Sequence, residues 1–564
     1  MHLGSSSPLA VLALLASSAL PSVYAADKEA WRTRSIYQYC GGTWRSIIDK
    51  LDYLQAGGWD SVWISPVHQN LEGDTPYGDA FHGFWVTDIH KLNPHFGNAE
   101  DLKALSNALH DRGMFLMVDI VVNFAASLSS DMSEASLASQ NITFKKPSQY
   151  HPLCWIDYSK QESVENCWMG SQELPLMDIN TENPEVQETL KKMNKEFVDE
   201  YHVDGLRIDA AKHVPGPFWK DFCTAAGVFC TGEVYTDDTS VVAEYQRSGS
   251  LDSLLNFPAF NGFKNAFQVP GRANMKDLGE SMTDIVSQFP DPGVLGNFLA
   301  NHDVSRFRAV TASDSVAYNA LVWQFTFDGI PITYYGEEQE IASGLSDPDQ
   351  RQALWAKGMG DYSTNTVTYR RLQRLNYLRK FLMSNNVKVE GGATYLANKS
   401  KVIMSSATDL AFTKGPILVV LNNRVALDSP VTIDIAPESV PGLVGDLFDV
   451  LNCRVVDLSI TLGTTRTGRD PLVSLLAWIV RRIGFKCTKL TTTPCQVIMT
   501  KENAAASGLC PDLAGPTPPS TVVPTAAPTT CKRKDGKKKK RSTLETSFGE
   551  ARLRKTRSRS MRGN

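Results

Sequence analysis

The sequence predicts an α/β protein: a (β/α)8 TIM barrel with an inserted loop domain, followed by a C-terminal antiparallel β-domain. From Trp59 to about Ile341, short apolar runs alternate with amphipathic helical segments, and this repetition predicts a parallel sheet. Charged residues directly follow several of these runs, as expected of a barrel whose functional groups lie at the carboxyl ends of its strands. From about Asn386 to Val456, β-rich runs separated by turn residues are typical of an antiparallel sheet.

Individual elements are predicted from the length and period of each apolar run. Short runs without helical periodicity predict buried strands, and longer segments with a 3.6-residue period predict helices. In the barrel region the predicted strands are Ser61 to Ile64, Phe115 to Asn123, Gly205 to Asp209, Val228 to Val234, Val294 to Leu299 and Ile332 to Tyr335, and the helices include Ala99 to Arg112 and Val186 to Tyr201. The clearest strands of the second domain are Pro416 to Leu421 and Val431 to Ile435.

The chain divides into four predicted segments. Residues 1–25 are predicted to be a signal peptide, because an apolar run precedes the small-residue cleavage site Val23-Tyr24-Ala25. The catalytic barrel is expected to span residues 27–385, and the β-domain 386–515, in which 463–495 is atypical and resembles an insertion. Residues 516–564, a Pro/Thr-rich linker and a basic tail, are expected to be disordered.

Composition and charge limit the class of protein. Hydrophobic residues make up 42% and charged residues 21% of the chain, which is ordinary for a globular protein. The net charge of −4 combines a tail from Cys531 of about +11 with a body of about −15, and an acidic body argues against nucleic acid as a partner. The first apolar run is too short to span a membrane. We therefore expect a secreted monomer, extracellular or associated with the cell wall.

Export would permit disulfide bonds and N-glycans. Cys154 and Cys167 flank a short loop and suit a local bridge, and Cys453 and Cys510 are candidates to tie the C-terminal domain. Acceptor sequences for N-glycans begin at Asn141 and Asn398. Cysteine and histidine spacings give no indication of a zinc site.

The segment from Gly205 to His213 carries the most informative chemistry. Side chains alternate between the two faces of a strand, so Arg207 and Asp209 share a face. An arginine beside a carboxylate favours its ionised form and orients it. A fixed, ionised carboxylate at the end of a strand is what a glycosidic nucleophile requires.

Two further carboxyl groups follow other predicted strands. Glu233 comes after an apolar run and is expected to be partly buried, the environment of a proton donor, and Asp303 lies beside His302. Retaining glycoside hydrolysis needs a nucleophile and an acid roughly 5–5.5 Å apart, which assigns these functions to Asp209 and Glu233. A single aspartate at a strand end is more often a cap or surface group, but three carboxyl groups in order are unlikely by chance.

Aromatic and polar residues are predicted to complete a sugar site. Tyr77, His82, Phe84 and Trp85 lie in one segment, and aromatic rings offer a flat surface to the apolar face of a pyranose. The alternative interpretation is that Phe84 and Trp85 belong to the hydrophobic core. The pair Asp347 and Arg351 is spaced for a helical ion pair or for contact with substrate.

These segments together resemble the secreted fungal α-amylases of glycoside hydrolase family 13, of the Taka-amylase type. The resemblance runs from about Trp31 to Val456, returns near Cys510, and presents the four signature regions of the family in order: Asp119 to Asn123, Gly205 to His213, Gly232 to Val234 and Phe298 to Asp303. It implies retaining endo-hydrolysis of α-1,4-glucosidic bonds in starch-like glucans, with Asp209 as nucleophile, Glu233 as acid/base and Asp303 as transition-state stabiliser. It also implies substrate contacts from Tyr77, His82, Trp85, Arg207, Lys212, His213, His302, Asp347 and Arg351.

The family resemblance further implies a structural Ca²⁺ ion. Its ligands map to Asn123, Glu165, Asp178 and the carbonyl group of His213. Leu176 stands where the family pattern has an aspartate, and Asp178 is the nearby replacement. Because calcium requires oxygen ligands, this site is expected to be weakened.

Two other departures bear on activity. Phe124 replaces the histidine that ends the first signature region, and losing one such donor to the transition state costs about 2–4 kcal/mol. Some fungal relatives without this histidine are cell-wall-associated glucanotransferases.

The chain is also short around Tyr37 to Cys40, which predicts a truncated first strand, an open barrel wall and a Cys40 without its usual partner. The alternatives to hydrolysis are therefore 4-α-glucanotransfer on cell-wall α-glucan, or glucan binding with impaired catalysis.

Overall fold

The computed structural model describes residues 27–39, 42–269, 274–344, 349–356, 358–384, 387, 394–425, 431–435, 439–440, 443, 446–456, 459–462 and 495–510. Several predictions lie outside these residues. They concern the signal peptide, Cys40, Asp347, nearly all of the atypical segment 463–495, and the linker and tail from residue 516.

In the described residues, eight parallel strands form a barrel in chain order. They are β1 (Ile36–Tyr39), β2 (Ser61–Ile64), β3 (Phe115–Ile120), β4 (Gly205–Ile208), β5 (Phe229–Gly232), β6 (Ser253–Leu254), β7 (Gly296–Phe298) and β8 (Ile330–Tyr334). Strands β1 to β5 each pair with the next strand, β8 pairs with both β7 and β1, and a parallel bridge between Leu255 and Gly296 joins β6 to β7. The predicted fold class is confirmed.

The expectation of an open barrel wall at β1 is wrong. All four residues of β1 pair with β2, from Ile36 opposite Ser61 to Tyr39 opposite Ile64. On the other side, Ile36 lies opposite Ile332 of β8. Because β2 is itself only four residues long, a four-residue β1 matches its neighbour and leaves no gap. Strand β6 was not predicted, because its two residues are too few to produce a recognisable apolar run.

Helices connect the barrel strands and also occur in the inserted loop domain and the C-terminal domain. Their bounds are Lys28–Arg32, Trp44–Ile48, Leu51–Ala56, Ala99–His110, Glu134–Ser139, Gln161–Asn166, Pro184–Tyr201, Gly216–Ala226, Thr239–Arg247, Phe257–Phe267, Met275–Gln288, Phe307–Val310, Asp314–Thr326, Val367–Met383 and Lys501–Ala506. Local sequence sets several ends: Asn98 and Asp101 form a capping box. No helix in the described part of the chain has the length and apolarity needed to cross a membrane.

Two small sheets stand over the carboxyl ends of the barrel strands. One pairs His68–Asn70 with Val86–Leu92, and the other contains Phe124–Ala126, Met169–Gly170 and Pro175–Asp178. The second belongs to the insertion between β3 and β4, where the predicted disulfide between Cys154 and Cys167 is present. These elements form the walls above the barrel mouth.

The C-terminal region forms the predicted antiparallel sheet. In spatial order its strands are Lys401–Ser405, Asp409–Lys414, Ile417–Asn422, Gln496–Thr500, Leu447–Asp449 and Arg454–Val456, and Val431–Asp434 pairs separately with Ser459–Leu462. The predicted disulfide between Cys453 and Cys510 is present. A buried ion pair between Lys414 Nζ and Asp328 Oδ1 (2.8 Å) links this sheet to the barrel.

Glu337 gives the fold a pH-dependent stability. Its carboxyl group lies in the buried turn after β8, where Oε2 accepts a hydrogen bond from Tyr334 N (3.2 Å), and burial raises its pKa to about 8. A carboxyl group with a raised pKa in the folded state stabilises the protein at low pH, and this contribution is lost as pH rises towards 8.

We therefore expect Glu337→Gln to be more stable than wild type near pH 8, by on the order of a few kcal/mol, with the difference shrinking towards pH 5. Chemical denaturation across this pH range measures it. Glu173→Gln, at an exposed position, is the control, and a stability difference that does not change with pH would contradict the prediction.

Candidate active site

The candidate carboxyl groups lie where the barrel strands end. Asp209 directly follows β4 and Glu233 directly follows β5. Asp209 N donates to the carbonyl oxygen of Ile120 (3.0 Å), and Glu233 N donates to that of Ile208 (2.9 Å). The backbone hydrogen bonding of the barrel thus continues one residue past each strand and fixes both side chains at the barrel mouth.

Arg207 lies beneath these groups and contacts three carboxylates. Nη1 is 3.0 Å from Asp119 Oδ1 and 2.8 Å from Asp209 Oδ1, and Nη2 is 3.0 Å from Glu233 Oε2. Arg207 is fully buried, and Trp63 Nε1 donates to Asp119 Oδ2 (3.1 Å). The predicted contact between Arg207 and Asp209 is present, and the same guanidinium also holds Asp119 and Glu233.

Because three carboxylates share Arg207, the electrostatic environment of Asp209 differs from the one predicted. Burial raises the pKa of Asp209 to about 7; Arg207 opposes the rise, and the charges of Glu233 and Asp303 add to it. Burial likewise raises the pKa of Asp119 well above its ordinary value. Arg207 therefore orients Asp209 as predicted, but one guanidinium divided among several carboxyl groups does not by itself ensure that Asp209 is ionised.

The turn after Asp209 positions Glu233. Ala210 adopts a left-handed conformation with φ of 47°, which is rare for a residue other than glycine, asparagine or aspartate. In this conformation Ala210 N donates to Glu233 Oε2 (3.2 Å). The Glu233 side chain is 12% exposed, which confirms the predicted partial burial. A strained turn that places a donor on a functional carboxyl group is typical of a catalytic site.

Asp303 is held by the loop that follows β7. Asn301 Oδ1 accepts hydrogen bonds from Asp303 N (2.8 Å) and Val304 N (3.0 Å). Arg351 donates from Nη2 to Asp303 Oδ1 (3.2 Å) and from Nε to the carbonyl oxygen of His302 (2.9 Å). The structure thus connects Arg351 to Asp303, while Asp347 lies outside the described residues.

His302 is fixed as a neutral donor. Gln38 Nε2 lies 2.8 Å from His302 Nδ1, and His302 Nε2 lies 3.0 Å from Asp303 Oδ2. Because the amide of Gln38 donates to Nδ1, the ring proton sits on Nε2 and points at Asp303. Burial lowers the pKa of His302 well below its ordinary value, and the ring of Phe84 stacks on it at 4.9 Å.

A cavity of about 650 Å³ brings the predicted residues together. Of the predicted site residues, those that line it are His82, Trp85, Asp209, Lys212, His213, Glu233, His302, Asp303 and Arg351. An adjoining cavity of about 450 Å³ contains Tyr77 and shares His82, Trp85 and Arg351. Burial lowers the pKa of His82 to about 3 and that of His213 to about 4. Both rings are therefore neutral at physiological pH.

One wall of the larger cavity is apolar. Phe124, Met169 and Leu176 line it, and Met169 lies opposite Leu176 in the small antiparallel sheet. The departures noted in the sequence at positions 124 and 176 therefore both face the site. Because none of these side chains donates a conventional hydrogen bond, this wall offers a substrate only packing.

Sequence reasoning missed several residues of the site. Gln38 and Trp63 contact its polar groups, and Tyr158 and Tyr235 line the cavity. Gln38 and Trp63 belong to β1 and β2, so the rule that functional groups lie near the carboxyl ends of barrel strands was a usable signal for both. Tyr158 lies on a loop whose course no local pattern predicts.

Three of the four predicted calcium ligands meet beside the cavity. Asn123 Oδ1 lies 3.0 Å from both Asp178 Oδ1 and the carbonyl oxygen of His213, and turning the Asn123 amide by 180° would make its nitrogen a donor to both. Glu165 Oε1 instead accepts a hydrogen bond from Gln161 Nε2 (2.8 Å), which also donates to the carbonyl oxygen of Lys212 (3.1 Å). Among the described residues, no cluster of three or more His, Cys, Asp or Glu side chains is arranged for a metal.

Convergence of three oxygen atoms is compatible with a bound cation, because oxygen ligands suit Ca²⁺. Only Asp178 among the three ligands contributes a formal charge, and its Oδ2 is already 2.6 Å from His151 Nδ1. The residues therefore fit a calcium site with few protein ligands, or a metal-free arrangement in which the Asn123 amide donates.

Comparisons with known proteins agree with this geometry. Residues 21–369 match the family described as alpha amylase, catalytic domain. The chain is 37% identical to alpha-amylase mde5 of Schizosaccharomyces pombe over 77% of this chain and 85% of that protein. It is 34% identical to an alpha-amylase of Saccharomycopsis fibuligera, over 84% and 98% respectively.

A solved structure leads to the same family. The alpha-amylase from Malbranchea cinnamomea is 33% identical and superposes with a TM-score of 0.73, covering 86% of this chain and all of that one. This likeness includes the barrel that places Asp209, Glu233 and Asp303 at one mouth. The chain belongs to the alpha-amylase family of glycoside hydrolases.

Proposed function

We propose that this enzyme cleaves internal α-1,4-glucosidic bonds of starch-like glucans by a retaining double displacement. The observation that carries this proposal is the pair of carboxyl groups, Asp209 and Glu233, held by one buried guanidinium at the barrel mouth. Contact with the same side chain keeps the two groups close together, as the retaining geometry requires. An α-glucan is also the substrate class of the named relatives.

In the first step, Asp209 acts as the nucleophile. Its carboxylate attacks the anomeric carbon while Glu233 gives its proton to the departing glycosidic oxygen, which leaves a glycosyl ester on Asp209. In the second step, Glu233 takes a proton from water, and the water oxygen displaces Asp209. Ala210 N and Arg207 hold Glu233 in place for both proton transfers.

Asp303 stabilises the positive charge that develops on the sugar ring. The neutral Nε2–H of His302 and the guanidinium of Arg351 orient it. Lys212, His213, His82 and Trp85 line the cavity where the flanking sugars would bind, and Tyr77 extends this surface into the adjoining cavity. Asp347 remains a proposed substrate contact.

Transfer to a second sugar is the alternative reaction. The apolar wall of Phe124, Met169 and Leu176 favours it, because packing surface holds the body of an acceptor sugar and offers no hydrogen bond to an attacking water. The chemistry of both steps stays the same, except that a sugar hydroxyl replaces water in the second.

Product analysis on maltoheptaose tests these proposals. Hydrolysis gives only shorter oligosaccharides, and transfer also gives chains longer than seven glucose units. An unchanged substrate would contradict both and leave a glucan-binding protein without turnover. The wild-type protein should be compared with Phe124→His, for which we expect the rate of glycosidic cleavage to rise at least tenfold, because a donor worth about 2–4 kcal/mol to the transition state is restored.

We further propose that Asn123, Asp178 and the carbonyl oxygen of His213 bind Ca²⁺, with Glu165 contributing only if its side chain leaves Gln161. The ion would cross-link the inserted loop domain to the segment that carries His213. We expect saturating Ca²⁺ to raise the midpoint of thermal unfolding, since a ligand at 100 times its Kd adds about 2.7 kcal/mol.

Calorimetry with and without a chelator measures this shift. The Asp178→Asn variant should lose it, and Asp157→Asn, at an exposed aspartate of the same loop domain, should keep it. Equal midpoints in calcium and chelator would mean that the Asn123 amide donates to both oxygens and no ion binds.

The remaining proposals concern the whole chain. We propose a secreted monomer, extracellular or bound to the cell wall, with a cleaved signal peptide (1–25), a catalytic barrel (27–385), a C-terminal β-domain (386–515) and a Pro/Thr-rich linker with a basic tail (516–564). Glycans are proposed on Asn141 and Asn398. Nucleic acid is not expected to bind, because the chain before the basic tail is acidic.

A further inference from the structure

The groove of the candidate site ends at a contact between two loops. The larger cavity and the adjoining one share His82, Trp85, Leu176 and Arg351, so together they form one continuous groove. Tyr77 and Ser171 line only the adjoining cavity, whereas Asp209 and Glu233 line only the larger one. There the Tyr77 hydroxyl group donates a hydrogen bond to Ser171 Oγ (2.9 Å).

The two contacting loops come from different parts of the fold. Tyr77 lies in the connection between β2 and β3, and Ser171 lies in the loop domain inserted after β3. Each loop is shaped by its own turn: Thr75 Oγ1 accepts a bond from Tyr77 N (3.1 Å), and Ser171 Oγ accepts bonds from Glu173 N and Leu174 N (both 3.2 Å). The Tyr77–Ser171 bond therefore joins two preformed turns across the groove.

The bond is exposed and therefore easily broken. Tyr77 is 60% exposed, so water can replace Ser171 as the partner of its hydroxyl group. The net free energy of such a hydrogen bond changes the ratio of the closed to the open form of the groove by a factor of roughly two to ten. A contact of this strength holds the groove closed most of the time and still opens readily.

We propose that the Tyr77–Ser171 contact is a gate that closes one end of the glucan groove and selects between short and long chains. The proposal rests on the groove being the glucan-binding site. Short oligosaccharides fit between the gate and the carboxyl groups, whereas an internal segment of a long chain must continue past Tyr77. Binding of a long chain therefore requires the open form, and its apparent affinity falls in proportion to the population of that form.

Equilibrium binding tests the gate independently of turnover. Dissociation constants for a long linear α-1,4-glucan and for maltotetraose are measured by calorimetry in protein carrying Glu233→Gln, in which cleavage is expected to be slow enough to measure binding. Adding Tyr77→Phe removes the hydroxyl group and keeps the ring. We expect the affinity for the long glucan to rise roughly two- to tenfold relative to maltotetraose. Ser171→Ala should shift the ratio in the same direction.

The control is Tyr377→Phe, which removes another half-exposed tyrosine hydroxyl group, from the helix Val367–Met383. Tyr377→Phe should not change the ratio of the affinity for the long glucan to the affinity for maltotetraose. An unchanged or reduced ratio in both Tyr77→Phe and Ser171→Ala would overturn the gate while leaving the proposed function intact. Failure of both ligands to bind would overturn the gate and the glucan groove together.

In the active enzyme the same variants change the pattern of attack. We expect Tyr77→Phe to lower the viscosity of a long glucan further per bond cleaved than wild type does, because internal bonds become more accessible. A variant that only loosened the loops would slow cleavage of all substrates and leave viscosity loss per bond unchanged, and this result would contradict a gate.

Discussion

Glu233→Gln is expected to lower kcat on maltoheptaose by roughly 10²- to 10⁴-fold, the contribution of a positioned general acid. Glutamine keeps an oxygen that can accept the hydrogen bond from Ala210 N, which is 3.2 Å from Oε2, but it has no proton to transfer. The initial rate of product formation, followed by chromatography, measures the effect.

The substrate can separate loss of the acid from loss of the fold. A maltosyl fluoride needs no protonation of its leaving group, so Glu233→Gln should retain far more activity on it than on maltoheptaose. Glu185→Gln, an exposed glutamate paired with Lys146 outside the cavity, is the matched control and should behave as wild type. Activity on maltoheptaose within tenfold of wild type would show that another group supplies the proton.

Arg207→Leu is expected to cost about 3–5 kcal/mol of unfolding free energy at pH 7, because removing one partner of a buried ion pair leaves the other charges uncompensated. Three carboxyl groups lose their guanidinium at once: Asp119, Asp209 and Glu233. Activity should fall below detection, since the nucleophile and the acid lose their common support. Denaturant unfolding at several pH values measures the stability.

The pH dependence identifies the cause of this destabilisation. Burial already raises the pKa of Asp119 and Asp209, and removing Arg207 raises both further. Carboxyl groups with raised pKa in the folded state stabilise the protein at low pH and lose that contribution as pH rises. The cost of Arg207→Leu should therefore be largest above pH 7 and small near pH 4.

A buried arginine whose hydrogen bonds go to backbone carbonyl oxygens provides the control. Arg379 donates to the carbonyl oxygens of Arg32, Arg34 and Gly329, so Arg379→Leu should destabilise the fold by an amount that depends little on pH. A cost of Arg207→Leu that is equally independent of pH would show that packing, and not charge, is what Arg207 supplies.

The sequence was sufficient for features that depend on neighbouring residues. The alternation of Leu206 and Ile208 with Arg207 and Asp209 predicted both the strand and the face on which its charged groups lie. The position of Glu233 after an apolar run predicted its burial, which the structure confirms. Close spacing along the chain identified the Cys154–Cys167 disulfide.

Local reasoning failed where pairing between strands decides the outcome. The short segment before Cys40 predicted an open wall, but β1 needs only to match the four residues of β2. Strand β6 has two residues and no pattern of its own, and it is defined by its pairing with β5.

By itself, the sequence determined which chemical groups stand at the strand ends: Asp209, Glu233 and Asp303 in order, with Arg207 beside the first. The tertiary structure decided how they are connected. Arg207 serves three carboxylates, Gln38 sets the proton of His302, and Tyr77 meets Ser171 across the groove. The physical reason is the separation of the interacting residues along the chain. Strand periodicity is a property of a few neighbouring residues, whereas these contacts join residues up to 264 positions apart. Such contacts exist only once the eight strands have closed in register.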